Sequence, residues 1–121
     1  MRALTISLCM LVLTGSAFAQ QKPVPAYLIS EFEVRDDASY KKFREEVSPI
    51  IKAHGGQFVA RAGNVMPLIG EAPKNVTVVM FQSLEKARAY SQSSEYKALD
   101  PLRDAAGKFR VYVVEGTDTS R

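Results

Sequence analysis

The sequence predicts an α+β fold with an antiparallel four-stranded sheet and helices on one face of it. The periodic segments follow the order strand, helix, strand, strand, helices, strand, which is that of the ferredoxin-like split βαβ sandwich. The 121 residues, 46% of them hydrophobic and 24% charged, suit one globular domain with one core. We expect this domain at residues 26–116, between a flexible lead at residues 20–25 and a polar tail at residues 117–121.

The first nineteen residues have the pattern of a secretory signal peptide. Arg2 precedes an apolar stretch from Ala3 to Gly15, and Ala17-Phe18-Ala19 is a small-x-small cleavage site. We expect cleavage after Ala19 and a periplasmic or secreted protein. The alternative is that these residues form the first helix of the fold, but a half-solvated helix would show polar residues on one face, and this apolar run is uninterrupted. Cleavage would also remove Cys9, the only cysteine.

A strand and a helix open the domain. Residues 26–34 are rich in Tyr, Ile, Phe and Val, which predicts a strand. Asp36 is a good N-cap for a helix with apolar residues at three- and four-residue spacing, namely Tyr40, Phe43, Val47, Ile50 and Ile51. Pro49 is expected to kink or restart this helix, and Gly55-Gly56 to end it.

Three further segments predict strands. Residues 57–62 follow the glycine pair, residues 76–81 are apolar at nearly every position, and residues 108–115 form the last strand. The irregular stretch between the first two contains residues 65–69, a candidate short edge strand.

Short helices are predicted before the last strand. Ser83 can cap the first of them, and Ser93-Ser94 breaks it. Asp100-Pro101 is a favourable cap and first-turn pair for a further helical segment. The apolar residues of these segments recur at helical spacing, at Leu84, Ala87, Tyr90, Tyr96, Leu99, Leu102 and Ala106.

Two strands are apolar on both faces, which predicts self-association. Residues 76–81 and 111–114 offer apolar side chains to either side of the sheet, yet the predicted helices cover one side. The chain has no further element for the other side. We therefore expect a homodimer that packs sheet to sheet.

His54 is the only histidine, a residue type that often acts as an acid or base. It follows Ile50 and Ile51 on the apolar stripe, so the functional interpretation makes it a catalytic residue that lines an internal pocket. The alternative is a structural role, because a histidine in the last helical turn can bond the terminal carbonyl groups.

Arg61 is an unusual charge in a strand otherwise built from Phe58, Val59 and Ala60. It could pair with Glu31 or Glu33 across the sheet. It could instead hold an anionic ligand with its forked guanidinium.

Several classes of function are disfavoured by composition. With one histidine, and no cysteine after signal cleavage, the chain cannot provide the usual ligand set of a structural zinc site. It also has no glycine-rich phosphate loop and no GxSxG nucleophile elbow. Removal of Arg2 lowers the net charge from +3 to +2, and the basic residues alternate with acidic ones. We expect no metal, no cofactor, no nucleic-acid partner and, after signal cleavage, no membrane partner.

Short motifs along the domain resemble those of a known bacterial family. They are Ala26-Tyr27-Leu28-Ile29, Asp36, Tyr40, Phe43, His54-Gly55-Gly56, Arg61, Ser83-Leu84-Glu85, Ala87-Arg88-Ala89, Ser94-Glu95-Tyr96 and Leu102-Arg103. Together they resemble the domain-of-unknown-function family thirteen-thirty, in the dimeric α+β barrel superfamily. The resemblance implies a ferredoxin-like protomer and a face-to-face homodimer. Related families include cofactor-free monooxygenases, but a shared fold does not carry function.

The residues support two hypotheses of different kinds. In the first, a periplasmic homodimer binds a small organic molecule between helices and sheet, with cofactor-independent acid–base or monooxygenase-like chemistry. His54 would be the acid or base, Arg61 the anion or polar anchor, and Tyr96 and Arg103 would lie at the pocket rim. In the second, the protein is a non-catalytic binding or structural dimer, and these residues only satisfy one another.

Overall fold

A computed structural model of the chain describes residues 24–118, so the predicted signal peptide lies outside the described residues. The elements are β1 (Ala26–Val34), α1 (Asp37–Ala53), β2 (Gln57–Arg61), β3 (Asn75–Phe81), α2 (Leu84–Gln92), α3 (Ser94–Lys97), α4 (Asp100–Ala106) and β4 (Gly107–Glu115). The strands form one antiparallel sheet in the order β2-β3-β1-β4. The predicted α+β, ferredoxin-like fold class is confirmed. Within residues 24–118, no helix has the length and apolar character needed to cross a membrane.

The core lies between the helices and one face of the sheet. Alternate residues of β1 point to this face, where Ala26 pairs with Phe81 and Leu28 with Val79. Because side chains alternate along a strand, this register fixes which residues meet the helices. The buried cluster consists of Ala26, Leu28, Phe43, Val47, Ile51, Val79, Phe81, Ala87, Tyr90, Leu99 and Ala106.

Helix α1 begins at its predicted cap and runs unbroken through Pro49. The side chain of Asp36 accepts a hydrogen bond from the Ser39 backbone N–H at 3.0 Å. Of the two effects expected of Pro49, a restart is wrong, because a single helix extends from Asp37 to Ala53, and a kink stays a prediction. Val47 and Ile51 are buried on either side of the proline, so packing on the sheet offsets the lost backbone bond.

The glycine pair ends α1 as expected. Gly55 has a φ of +78°, which L side chains rarely adopt. Its N–H donates to the Lys52 carbonyl at 3.0 Å, and the Gly56 N–H donates to the Ile51 carbonyl at 2.9 Å. These two bonds form a Schellman motif, which satisfies carbonyl groups that the helix end leaves unpaired.

Two expectations for the second half of the chain are wrong. Residues 65–69 form no strand, because β2 already occupies the edge of β3 and the segment is interrupted by Pro67. Its side chains extend outward instead, and Ile69 is 98% exposed. The cap of α4 is Leu99 rather than Asp100, whose carboxylate instead binds Arg103 at 2.9 Å.

The second face of the sheet carries no helix. This open face, as we call it, presents residues of all four strands: Tyr27, Ile29, Glu31, Glu33, Gln57, Ala60, Val76, Val78, Met80, Lys108, Arg110, Tyr112 and Val114. Tyr112 is 39% exposed and Val114 is 48% exposed. The helices therefore cover one face only, as the sequence indicated.

Replacing Asp36 with Ala is expected to lower Tm, and the loss should depend on pH. Hydrogen bonds from the Ser39 hydroxyl and backbone N–H lower the pKa of the Asp36 carboxyl. A lowered pKa means that folding favours the carboxylate, so its contribution is complete above the unfolded-chain pKa and is lost as the pH falls through the folded-state pKa. The difference in Tm between wild type and Asp36→Ala should narrow below about pH 4.

Thermal unfolding followed by circular dichroism across pH measures this difference. Asp37→Ala is the matched control, because it removes a carboxylate from the same turn without removing the cap. A Tm difference for Asp36→Ala that is constant across pH would contradict the assigned capping role.

Candidate functional site

A cavity of about 60 Å³ lies between α1 and the helix-covered face of the sheet. Strand residues such as Leu28 and Val79 form one wall, and Phe43 and Val47 of α1 form the opposite wall. Polar side chains join this apolar lining from other elements: Arg61, Tyr96 and Arg103. The structure therefore brings together three of the four residues that the sequence indicated.

Arg61 reaches the cavity because of an irregularity in β2. Phe58 pairs with Val79, but the register shifts before Ala60, and Arg61 pairs with Thr77. Three residues along a regular strand lead to the opposite face, whereas the extra residue of a bulge restores the same face. Phe58 and Arg61 therefore both line the cavity.

Two contacts hold the Arg61 side chain at the cavity rim. Its Nη2 donates to the Ser48 hydroxyl at 2.9 Å, and its guanidinium carbon lies 4.3 Å from the centre of the Phe58 ring. Ser48 in turn donates to the Arg44 carbonyl at 2.7 Å. Stacking and hydrogen bonding thus orient a guanidinium that is otherwise exposed.

One of the two alternatives for Arg61, pairing with Glu31 or Glu33, is wrong. Those two carboxylates lie on the open face, and β3 separates their strand from β2. Glu31 instead pairs with Arg110 at 2.6 Å. Among the described residues, Arg61 forms no ion pair.

Arg103 and Tyr96 form a polar group on the helical side of the cavity. The Arg103 guanidinium contacts Asp100 at 2.9 Å and Asp104 at 3.6 Å. Burial lowers the pKa of Arg103, but Tyr96 and the two carboxylates raise it, and the net shift is upward. Arg103 is therefore a charged side chain whose charge is already balanced.

His54 lies at the end of α1 and is not among the residues that line the cavity. Its Nδ1 is 2.9 Å from the Ile50 carbonyl oxygen, so the tautomer with a proton on Nδ1 donates a hydrogen bond there. Its ring meets Tyr90 edge-on at 5.9 Å between centres. Tyr90, whose pKa burial raises, does line the cavity. The geometry fits the helix-end role, and the catalytic role of His54 stays a prediction.

Sequence reasoning missed three cavity residues on α1. The helical spacing predicts only packing for Tyr40 and no role for Arg44 or Ser48, yet all three side chains line the cavity. Burial raises the pKa of Tyr40, and the charges of Arg44 and Arg61 act against this rise. The Arg44 guanidinium carbon lies 5.8 Å from the centre of the Tyr40 ring. The four-residue spacing of Tyr40, Arg44 and Ser48 places them on one side of a helix, beside the apolar stripe. This four-residue spacing is the sequence feature that could have identified the three residues as neighbours on one side of α1.

Residues 25–117 match the family model described as Domain of unknown function (DUF1330). The chain belongs to the DUF1330 family. This confirms the family that the motifs indicated. No curated protein matches the chain.

Solved structures share the fold of this DUF1330 chain. A protein of unknown function from Rhodopseudomonas palustris has a TM-score of 0.65 at 17% identity, over 83% of this chain and 88% of that one. A protein from Bacteroides fragilis, described as dimeric, of unknown function and of ferredoxin-like fold, has a TM-score of 0.51 at 15% identity, over 75% of this chain and 95% of that one. At such identities the likeness shows the fold alone.

Two motifs of this DUF1330 protein now have structural explanations. His54-Gly55-Gly56 ends α1, and Gly56 leaves room for packing there, since a Cβ on it would lie 2.6 Å from Ile51 Cγ2. Ser94-Glu95-Tyr96 lies within α3, the helix that supplies Tyr96 to the cavity. One motif thus shapes the fold, and the other supplies a cavity residue.

A second groove near the ends of β1 and β4 is wider, at about 510 Å³, but it is mixed in charge. Glu31 and Glu33 line it together with Lys108 and Arg110. In the described part of the chain, no group of three or more histidine, cysteine, aspartate or glutamate side chains is placed to hold a metal ion. The smaller cavity, where polar groups converge on an apolar lining, is the better candidate for a ligand.

Proposed function

We propose that this protein is a periplasmic homodimer that binds a small organic molecule in the cavity between α1 and the sheet. The observation that carries this proposal is the convergence of Arg61 from β2, Tyr96 from α3 and Arg103 from α4 on one apolar cavity. An apolar enclosure with a few placed polar groups is typical of small-molecule sites.

The open face supports the homodimer. Its apolar side chains include Tyr112 and Val114 on β4, which a monomer would leave exposed to water. The half-buried Val78 of β3 lies on the same face. Contiguous apolar patches of this kind are typical of interfaces. The fold neighbour from Bacteroides fragilis is described as dimeric, which agrees with a second copy as the partner.

The amino-terminal pattern supports the periplasmic location. Arg2, the following apolar stretch and Ala17-Phe18-Ala19 form the three regions of a signal peptide. The domain that the family model matches begins after this segment, at residue 25.

Non-catalytic binding is the form of the proposal that the geometry favours. His54 bonds the Ile50 carbonyl and lies outside the lining, with Tyr90 between it and the cavity. A general acid or base must come within hydrogen-bond reach of the ligand. The acid–base and monooxygenase-like chemistry considered above therefore has less support than binding.

Native mass spectrometry of the protein from the periplasm of its host tests the proposal. We expect a chain that lacks its first nineteen residues, assembled as a dimer, with a reproducible added small mass. An uncleaved chain, a monomer or the absence of added mass would contradict the location, the assembly or the binding respectively.

Val111→Trp links the added mass to the cavity. Val111 lines the cavity, so a larger side chain there should fill part of the space that a ligand would occupy. The variant should remain dimeric and lose the added mass, whereas Ala89→Trp on the exposed surface of α2 should keep it. His54→Ala should also keep the mass, and its loss in that variant would favour a functional histidine.

A further inference from the structure

The cavity has positive charge at its rim that no acidic residue balances. Its charged lining residues are Arg44, Arg61 and Arg103, and no aspartate or glutamate lines it. Arg103 is balanced by Asp100 and Asp104. Within residues 24–118, Arg44 and Arg61 form no ion pair. The excess positive charge therefore lies at the α1–β2 side of the cavity, and it attracts an anion there.

The Arg61 guanidinium retains donors for such an anion. A guanidinium has five N–H groups in a planar fork, and the single bond to Ser48 uses one of them. The stacking on Phe58 holds the plane of the fork in place. A fixed fork favours a planar two-oxygen acceptor such as a carboxylate.

The apolar lining and the cavity volume limit the remainder of the ligand. Val47, Phe109 and Val111 line the cavity behind the rim, so an inorganic anion would leave apolar surface uncovered. The volume is about 60 Å³, whereas a cavity of about 150 Å³ in another protein holds benzene. The space suits a short aliphatic chain better than an aromatic ring.

We propose that the ligand is a short aliphatic carboxylate whose carboxylate group binds between Arg61 and Arg44 and whose apolar chain enters the cavity. This inference rests on the proposed function and names its ligand class. Ser48 is a positioning residue, because it orients Arg61 through its hydroxyl. Tyr40, whose ring centre lies 5.8 Å from the Arg44 guanidinium carbon, supplies a further hydroxyl to the cavity lining.

Titrations of the ¹⁵N-labelled dimer with propionate, propionamide, benzoate and inorganic phosphate test the ligand class. Propionate and propionamide have nearly the same shape but differ in charge, so we expect propionate to bind at least tenfold more tightly. We expect benzoate and phosphate to bind more weakly than propionate. The shifted amide signals should belong to residues around the cavity, such as Ser48 and Thr77.

Arg61→Gln should remove most of the preference for propionate over propionamide, because it removes the charged fork. Arg88→Gln is the matched control: Arg88 lies on α2, pairs with Glu85 and is absent from the cavity lining. Arg61→Lys should give intermediate binding, since it keeps the charge without the fork. This partial rescue separates ligand binding from a merely structural role.

Equal binding of propionate and propionamide, both blocked by Val111→Trp, would overturn the carboxylate inference and leave the small-molecule proposal intact. Tighter binding of phosphate than of propionate would overturn the aliphatic part of the inference. Failure of all four probes to bind, with an added mass still present in the native spectrum, would overturn the ligand class alone. Absence of the added mass as well would overturn the proposed function.

Discussion

Gly107→Ala is expected to lower the free energy of unfolding by about 3 kcal/mol. A Cβ on Gly107 would lie 2.0 Å from the Glu33 carbonyl oxygen and 3.2 Å from the Arg35 nitrogen. Both atoms belong to the backbone, which cannot rotate away as a side chain can. The Arg35 N–H also donates to the Ala106 carbonyl at 2.9 Å, which holds the two segments together. The substitution must therefore separate the junction of α4 and β4 from the end of β1.

Urea unfolding of the purified variant, followed by circular dichroism, measures the loss. Gly63→Ala is the matched control, since a Cβ there meets nothing within 4 Å. If Gly107→Ala yields no folded protein, Gly56→Ala tests the same principle against side chains of the core, Ile51 and Phe81. If Gly107→Ala and Gly56→Ala unfolded at the same urea concentration as Gly63→Ala, the backbone around these glycines would have room to accommodate a Cβ.

Val114→Lys is expected to convert the proposed homodimer into a folded monomer. Val114 lies on the open face, paired with Tyr27 of β1, and is 48% exposed. In a sheet-to-sheet dimer the ammonium group would be buried without a partner, once in each copy. We expect the dissociation constant to rise at least a hundredfold, which corresponds to about 2.8 kcal/mol.

Sedimentation velocity over a range of concentrations measures the change in assembly. Ala89→Lys places the same charge on the exposed surface of α2 and should leave the dimer unchanged. Circular dichroism should show that both variants are folded. A Val114→Lys protein that remains dimeric at low concentration would place the interface elsewhere.

Local patterns predicted most of the secondary structure. The first strand has the predicted bounds, Ala26–Val34, and α1 begins after Asp36 and ends at the glycine pair. These features depend on side-chain spacing, a capping carboxylate and a backbone conformation that glycine tolerates. Each of these is a property of neighbouring residues in the chain.

The same local patterns gave wrong predictions where contacts with distant segments of the chain decide the secondary structure. Residues 65–69 have strand-like composition, but β2 already occupies the adjacent edge of β3. The helix does not restart at Pro49, because Val47 and Ile51 are buried against the core on either side of it. In both cases a tertiary contact outweighed the local preference.

The candidate site was only partly predictable for the same reason. Arg61, Tyr96 and Arg103 could be named from residue type, but the face that Arg61 occupies depends on a one-residue bulge at the sheet edge. Arg44 and Ser48 could be identified as site residues only from the tertiary structure, in which α1 packs over the sheet and both side chains line the cavity. The sequence alone determined the fold class, both ends of α1 and the apolar character of both sheet faces, since these depend on local spacing. Tertiary packing decided which cations share a cavity and which are paired, because those relations depend on register and on distances between separate elements.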